Sequence, residues 1–264
     1  MANNEVATTG VQALKKMLEA ESVKKQFENI YKENAQLFLS GVLDLYSSTP
    51  QLQSCKPSDI IKEVLKAAVL KLPISKQLGF AYIVPYKGTP SMILGYKGLY
   101  QLALRSNMYK TIHCDVVYEG EEVLTNKLTG WIDFSGEKKS DKVVGYFAHF
   151  ELHNGFSKTI YMTKENIISY AKRYSKSYSE KPDSNSIWLK EFDSMSLKTV
   201  LRRLLSKWGI LTIELATAIS EDIEAEGSAE DELERIKANK ANKKTMDFED
   251  ADIVSEGDEN ENPI

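Results

Sequence analysis

Residues 142–162 read KVVGYFAHFELHNGFSKTIYM. Val144, Tyr146, Ala148, Phe150 and Leu152 fall on alternate positions, which is the period of a strand with one buried face. Asn154-Gly155 follows, and both residues accept positive φ, so the pair predicts a type I′ turn. Residues 156–162 then return as a second strand. Two strands joined by so short a turn are antiparallel, because a parallel pair needs a long crossover. This hairpin therefore decides the fold class, and the neighbouring segments extend it.

Residues 81–86 and 91–94 flank Lys87-Gly88-Thr89, a second hairpin signal. Residues 109–118 alternate and are rich in Ile and Val, Glu119-Gly120 turns them, and residues 131–134 make another short strand. The middle of the chain is thus an antiparallel meander. Helices flank it. Residues 11–31 place Val11, Leu14, Leu18, Val23, Phe27, Ile30 and Tyr31 at roughly helical spacing, and a second helix is expected over 33–46. Ser58 or Asp59 caps a helix over 60–71 that Pro73 stops. A helix over 97–106 ends at Asn107, which tolerates the left-handed region. Thr163 caps 164–174, and the polar stretch 174–185 reads as a loop. Residues 186–208 form one helix, or two joined near Asp193, closed by Gly209. A short apolar segment, 210–219, comes last. The class is α+β: antiparallel β meander and hairpins with flanking helices, N-terminal helices and a disordered acidic C-terminal tail. We divide it into an N-terminal helical segment (1–50), a core (51–219) and the tail (220–264).

Charge is split along the chain. The 264 residues carry a formal net charge of −4, which taken alone argues against a polyanionic partner. From residue 221 onward, however, there are 16 acidic and 5 basic residues, whereas residues 1–220 hold 29 basic and 22 acidic ones, a net of +7. A basic body suits a polyanion, and an acidic tail is commonly a solvated interaction segment. The two cysteines, Cys55 and Cys114, have no metal-ligand spacing and fit a reducing compartment. No apolar run reaches the length of a membrane helix, and the first residues lack the layout of a signal peptide. The expected location is the cytoplasm.

Two helices carry candidate chemistry. In the segment MILGYKGLYQLALRS, from Met92 to Ser106, Lys97, Gln101 and Arg105 recur at i, i+4 and i+8 and share one stripe. The opening Gly-Tyr-Lys-Gly admits close approach of backbone or ligand. In residues 197–208, Leu197, Val200, Leu201, Leu204, Leu205 and Trp208 form the apolar stripe. Lys198 and Arg202 border one side of the opposite face, and Arg203 and Lys207 the other. Four cations without one carboxylate are unusual for a face selected only for solubility, where mixed i,i+4 pairs are expected. Lys172, Arg173 and Lys176 lie among Tyr170, Tyr174 and Tyr178, a mixture that suits phosphates and exposed bases. Tyr96, Lys110 and Lys190 complete the expected DNA-binding set.

Catalytic signals are weak. No GxxxxGK[ST] loop is present. His149 and His153 lie about 13 Å apart on an extended strand, too far to share a metal. Asp133 and Glu137-Lys138-Lys139 loosely follow the D…ExK order of some metal-dependent nucleases, although Gly136 reads more simply as a hairpin tip. A Mg²⁺-dependent nuclease is accordingly the alternative to DNA binding, and an adaptor working through its acidic tail is a third reading.

The stretch QLGFAYIVPYK (77–87), then LGYKGL (94–99), Leu102-Ala103, Arg105-Ser106 and Val117-Tyr118-Glu119 resembles the RecT family of phage and prophage single-strand DNA annealing recombinases. VKKQFE (23–28), Phe38-Leu39, CKPS (55–58), MSLK (195–198) and VLRRLLSKWG (200–209) add to the resemblance, which runs from about Leu14 to Ile213. Asn107 departs from it, standing where the family commonly has Gly. The resemblance implies ATP-independent binding of single-stranded DNA and annealing through a duplex intermediate. It also implies homo-oligomeric rings or helical filaments, a companion exonuclease and a host single-strand-binding protein. It implies no required cofactor, with Mg²⁺ only as a DNA counterion.

Overall fold

A computed structural model describes residues 2–75, 77–86, 88–182, 184 and 186–226, with side chains from residue 10 onward. Four helices open the chain: α1 (Ala2–Leu18), α2 (Glu21–Tyr31), α3 (Ala35–Ser48) and α4 (Pro57–Val69). The single helix expected over 11–31 is thus two. On one continuous helix Leu14 and Leu18 would sit nearly opposite Val23, Phe27 and Ile30, at 100° per residue. Extended backbone at Ala20 breaks the rod, so that Leu14, Leu18 and Phe27 all reach one core. Pro57 rather than Ser58 opens α4, where its missing N–H costs nothing.

The hairpin β1 (Ala81–Tyr86) and β2 (Thr89–Leu94) follows, paired from Ala81↔Leu94 to Tyr86↔Thr89. Helix α5 (Tyr96–Leu104) comes next, and Asn107 takes φ 55° after it, as its tolerance of that region predicts. Gly95 and Gly98 are required by the close approach of backbone: a Cβ there would stand 2.0 Å from the Gly79 carbonyl oxygen and 2.2 Å from that of Phe80.

The main sheet runs in the order β3 (Tyr109–Tyr118), β6 (Val143–Leu152), β7 (Ser157–Thr163), all antiparallel. Between β3 and β6 the chain leaves to form a separate hairpin, β4 (Glu121–Asn126) and β5 (Trp131–Gly136). β4 is a strand that the sequence did not announce, because most of its side chains are exposed and no apolar alternation marks it. In β6, Tyr146, Ala148, Phe150 and Leu152 are all buried, the face read from the alternation. The β6–β7 turn differs from expectation. Gly155 has φ 85° but Asn154 does not have positive φ. Gly155 N–H donates to the Leu152 carbonyl, and Asn154 Oδ1 accepts from Phe156 N–H. A three-residue loop of type I with a left-handed Gly replaces type I′, since it lets Leu152 N–H reach the Phe156 carbonyl at 2.8 Å.

Helix α6 (Lys164–Tyr174) starts at Thr163, whose hydroxyl accepts from Asn166 N–H. Helices α7 (Ile187–Lys190) and α8 (Phe192–Trp208) meet at Glu191, and α9 (Ile213–Glu226) closes the described chain. Gly209 lets the Tyr109 hydroxyl approach and accept from Ile210 N–H at 2.8 Å. One core cluster extends from Leu14 to Ile223 and takes in α1–α4, the main sheet, α8 and α9. The tail was expected from residue 220, yet helix persists to Glu226; the remainder, 227–264, lies outside the described residues. No helix among the described residues is long and apolar enough to cross a membrane.

Candidate nucleic-acid interface

Helix α8 buries Val200, Leu201, Leu204 and Leu205 completely. Its cations flank this stripe in two pairs, and the fold treats the pairs oppositely. Lys198 and Arg202 were expected at an open surface, but they are 2% and 1% exposed. Helix α9 lies against that flank and presents Asp222 and Glu226, one turn apart, to the two cations. Lys198 Nζ reaches Asp222 Oδ1 at 2.8 Å and also pairs with Glu226 Oε1. Arg202 Nη1 reaches Asp222 Oδ2 and Glu226 Oε2, each at 2.8 Å, and Nη2 donates to the Tyr170 hydroxyl. The difference arises because these carboxylates lie in the acidic segment after residue 220, whose composition alone does not show that it packs on α8. Burial penalises the Glu226 carboxylate, yet Lys198 and Arg202 bring its pKa down to about 2. Burial moves Asp222 the other way, upward, with the cations opposing.

The other flank is open. Arg203 and Lys207 are exposed, one helical turn apart, with no acidic partner among the described residues. Arg203 lies 5.2 Å from the Tyr170 ring, the Tyr170 and Tyr174 rings are 4.8 Å apart, and Arg173 lies 5.0 Å from the Tyr174 ring. In the other direction Lys207 and Lys158 each stand 5.0 Å from the Trp208 ring. Lys158 Nζ donates to the Gly130 carbonyl at the tip of the β4–β5 hairpin. The result is two runs of cations and rings, Arg173–Tyr174–Tyr170–Arg203 and Lys207–Trp208–Lys158, that meet on α8 where Arg203 and Lys207 stand one turn apart. Arg173, Arg203 and Lys207 were in the expected set. No sequence pattern singles out Lys158, and helical spacing places Trp208 in the apolar stripe although it is 38% exposed. Its place in the last turn, beside Gly209, was the available signal.

Beside α8 runs a cleft. A cavity of about 460 Å³ opens between the β1–β2 hairpin, the start of α5 and the α7–α8 corner, and both Lys97 and Lys198 line it, with Tyr82 and Tyr96. A second, of about 300 Å³, includes Tyr86, Lys176, Tyr178 and Glu226. The two share Val84, Ile93, Ile187 and Met195. Lys97 from α5 and Lys198 from α8 therefore converge on one cleft, with Lys176 at its far end. Lys97 and Lys176 are exposed.

The remaining expected residues are placed otherwise. Arg105 caps α4: Nη1 and Nη2 donate to the Leu70 and Lys71 carbonyls at 2.5 and 3.0 Å, where a cation suits the helix C-terminus. Lys110 pairs with Glu151 at 2.8 Å and Lys172 with Glu180 at 2.7 Å. Gln101 and Lys190 are exposed, and Tyr96 is half-buried, its hydroxyl pKa raised chiefly by burial. Asp133 sits in β5 and Glu137 just beyond it, and no group of three His, Cys, Asp or Glu side chains among the described residues is placed to hold a metal. His149 faces His113 across β3 and β6 and hydrogen-bonds the Thr159 hydroxyl at 2.8 Å. Cys55 and Cys114 are buried free thiols, and burial pushes Cys114 up to about 11.

Comparison with known proteins places the chain in a family. A family model described as the RecT family matches residues 36–238. Uncharacterized protein YqaK of Bacillus subtilis (strain 168) is 45% identical over 212 residues, 80% of this chain and 72% of that protein. Protein RecT of Escherichia coli (strain K12) is 29% identical over 186 residues, which cover 66% of this chain and 65% of that protein.

Proposed function

The chain belongs to the RecT family of single-strand annealing recombination proteins, and on that premise we propose that it binds single-stranded DNA along the Arg173–Lys158 strip and in the cleft lined by Lys97 and Lys176. The observation that carries this reading is the set of exposed cations, Arg173, Arg203 and Lys207, each within about 5 Å of a partly exposed ring. Cations neutralise phosphates without regard to sequence, and rings accept any base by stacking. A strand held this way keeps its pairing edges free, so a complementary strand supplies the sequence matching itself. Neutralised phosphates repel the incoming strand less, and annealing needs neither a covalent step nor nucleotide hydrolysis. Mg²⁺ enters only as a DNA counterion.

The finer parts of the proposal are these. Subunits set side by side, as a ring or filament, continue the track, and α1–α3 with the exposed Leu37 are the candidate contacts. A companion exonuclease supplies single strands, a host single-strand-binding protein meets the complex, and the setting is phage or prophage recombination in the bacterial cytoplasm. The test is direct. Complementary labelled oligonucleotides are mixed with the protein in ATP-free buffer, and duplex formation is followed. Faster annealing with both strands intact supports the proposal. No acceleration, or shortening of the strands when Mg²⁺ is added, overturns it.

A further inference from the structure

Four charged side chains buried together are costly to keep, and apolar residues of similar volume commonly serve stability as well or better. The quartet of Lys198, Arg202, Asp222 and Glu226 therefore calls for a role besides holding α9 in place. Its geometry supplies one. Each carboxylate bridges the two cations, giving one oxygen to Lys198 and the other to Arg202. A phosphodiester carries the same single charge on two unshared oxygens and fits the same pair of donors. The position agrees. Lys198 lines one cavity of the cleft, Glu226 lines the other, and the two cavities share a wall. The end of α9 is thus seated where a strand running from Lys97 to Lys176 would pass.

We infer that the last turn of α9 is an internal lock on a phosphodiester site: Asp222 and Glu226 stand in for phosphate in the free protein, and a bound strand takes Lys198 and Arg202 when that turn leaves. This rests on the DNA-binding reading above and adds its regulation. Ile223 of the same turn is buried in the core, so the turn is held by packing as well as by charge. Besides the quartet, the Glu226 carbonyl accepts from Lys176 N–H at 3.1 Å, and Asp222 Oδ1 accepts from Leu94 N–H at 2.9 Å. The first bond ties the lock to the backbone of the loop that carries Lys176, so release of α9 also loosens that loop at the far end of the cleft. A strand that enters gains two inner cations and joins the cleft to the outer strip on α8.

The test uses the full chain and a labelled thymidine oligonucleotide. Amide hydrogen exchange is followed over residues 213–226 with and without the strand, and affinities are measured by anisotropy for the chain and for Glu226→Gln. The lock predicts faster exchange in the last turn of α9 on DNA binding. It also predicts that E226Q binds tighter by roughly tenfold, the scale of one charge-assisted contact released from competition. If E226Q does not fold, the exchange measurement on the native chain decides. Exchange that is unchanged or slowed, with E226Q no tighter, overturns the lock while DNA binding stands. A native chain that binds no strand overturns the reading and the lock together.

Discussion

Replacing both open cations of α8, Arg203→Ala with Lys207→Ala, tests the outer strip where folding is least disturbed. Both side chains are exposed and neither has an acidic partner among the described residues. Alanine preserves the helix. The folded state loses only the contacts of Arg203 with Tyr170 and Lys207 with Trp208, each about 0.5–1 kcal/mol at an exposed site. The effect on DNA is larger and has a signature. Each phosphate contact with single-stranded DNA contributes about 0.7 to the slope of log K against log salt, so two lost contacts flatten it by about 1.4. Raising salt fourfold, from roughly 50 to 200 mM, should shrink the native chain's advantage about sevenfold. Anisotropy titrations at four or five salt concentrations measure this directly. Thermal melting checks that the variant is folded, and strands of different sequence should give the same difference. Parallel salt plots for a folded double variant would remove these residues from the track and refute the strip.

Other consequences are separable by their readouts. Trp208→Ala should weaken binding between about fivefold and about 150-fold, the range for one stacked base, whereas Trp208→Phe keeps most of the affinity. Arg202→Met leaves Asp222 and Glu226 buried with Lys198 alone and should cost about 3–5 kcal/mol in urea unfolding. Gly98→Ala drives a methyl to 2.2 Å from the Phe80 carbonyl oxygen and should cost about 1–3 kcal/mol of thermal stability. Glu226 has a folded pKa of about 2 against an ordinary 4.5, so its contribution is whole above pH 4.5 and is lost as pH falls toward 2. Asp222, shifted upward, contributes with the opposite sign. The observable is therefore the difference between the native chain and Glu226→Gln, which should narrow across that window.

What the sequence revealed depended on whether a pattern closed within one element. The alternation from Val144 to Leu152 needs no distant partner, and its face is buried as read from Tyr146 onward, with Val144 half-buried at the strand's start. The cap at Thr163 and the left-handed Asn107 are equally local. The break at Ala20 was legible in principle, because the apolar positions before and after it cannot share one side of a straight helix. β4 was not legible, since a mostly solvated hairpin strand leaves no apolar trace. Lys198 and Arg202 belong to a further kind. Their i,i+4 spacing was read as one half of an open face, but the same spacing recurs in Asp222 and Glu226. Two matched pairs of opposite sign, each one turn apart, are the trace of two helices meeting side by side.

That match changes how the charge of the body should be weighed. With the tail drawn from residue 221, the body carries a net of +7; extended to Glu226, where the described helix ends, residues 1–226 hold 29 basic and 26 acidic residues, a net of only +3. An excess that small steers a polyanion weakly. The affinity for DNA must come from local partition: which cations the fold matches with carboxylates and which it leaves to solvent. On α8 the boundary falls between adjacent residues, with Arg202 enclosed among acids and Arg203 open beside a tyrosine. A polyanion meeting this helix therefore finds one charged flank ready and another already occupied, and net charge alone cannot distinguish the two.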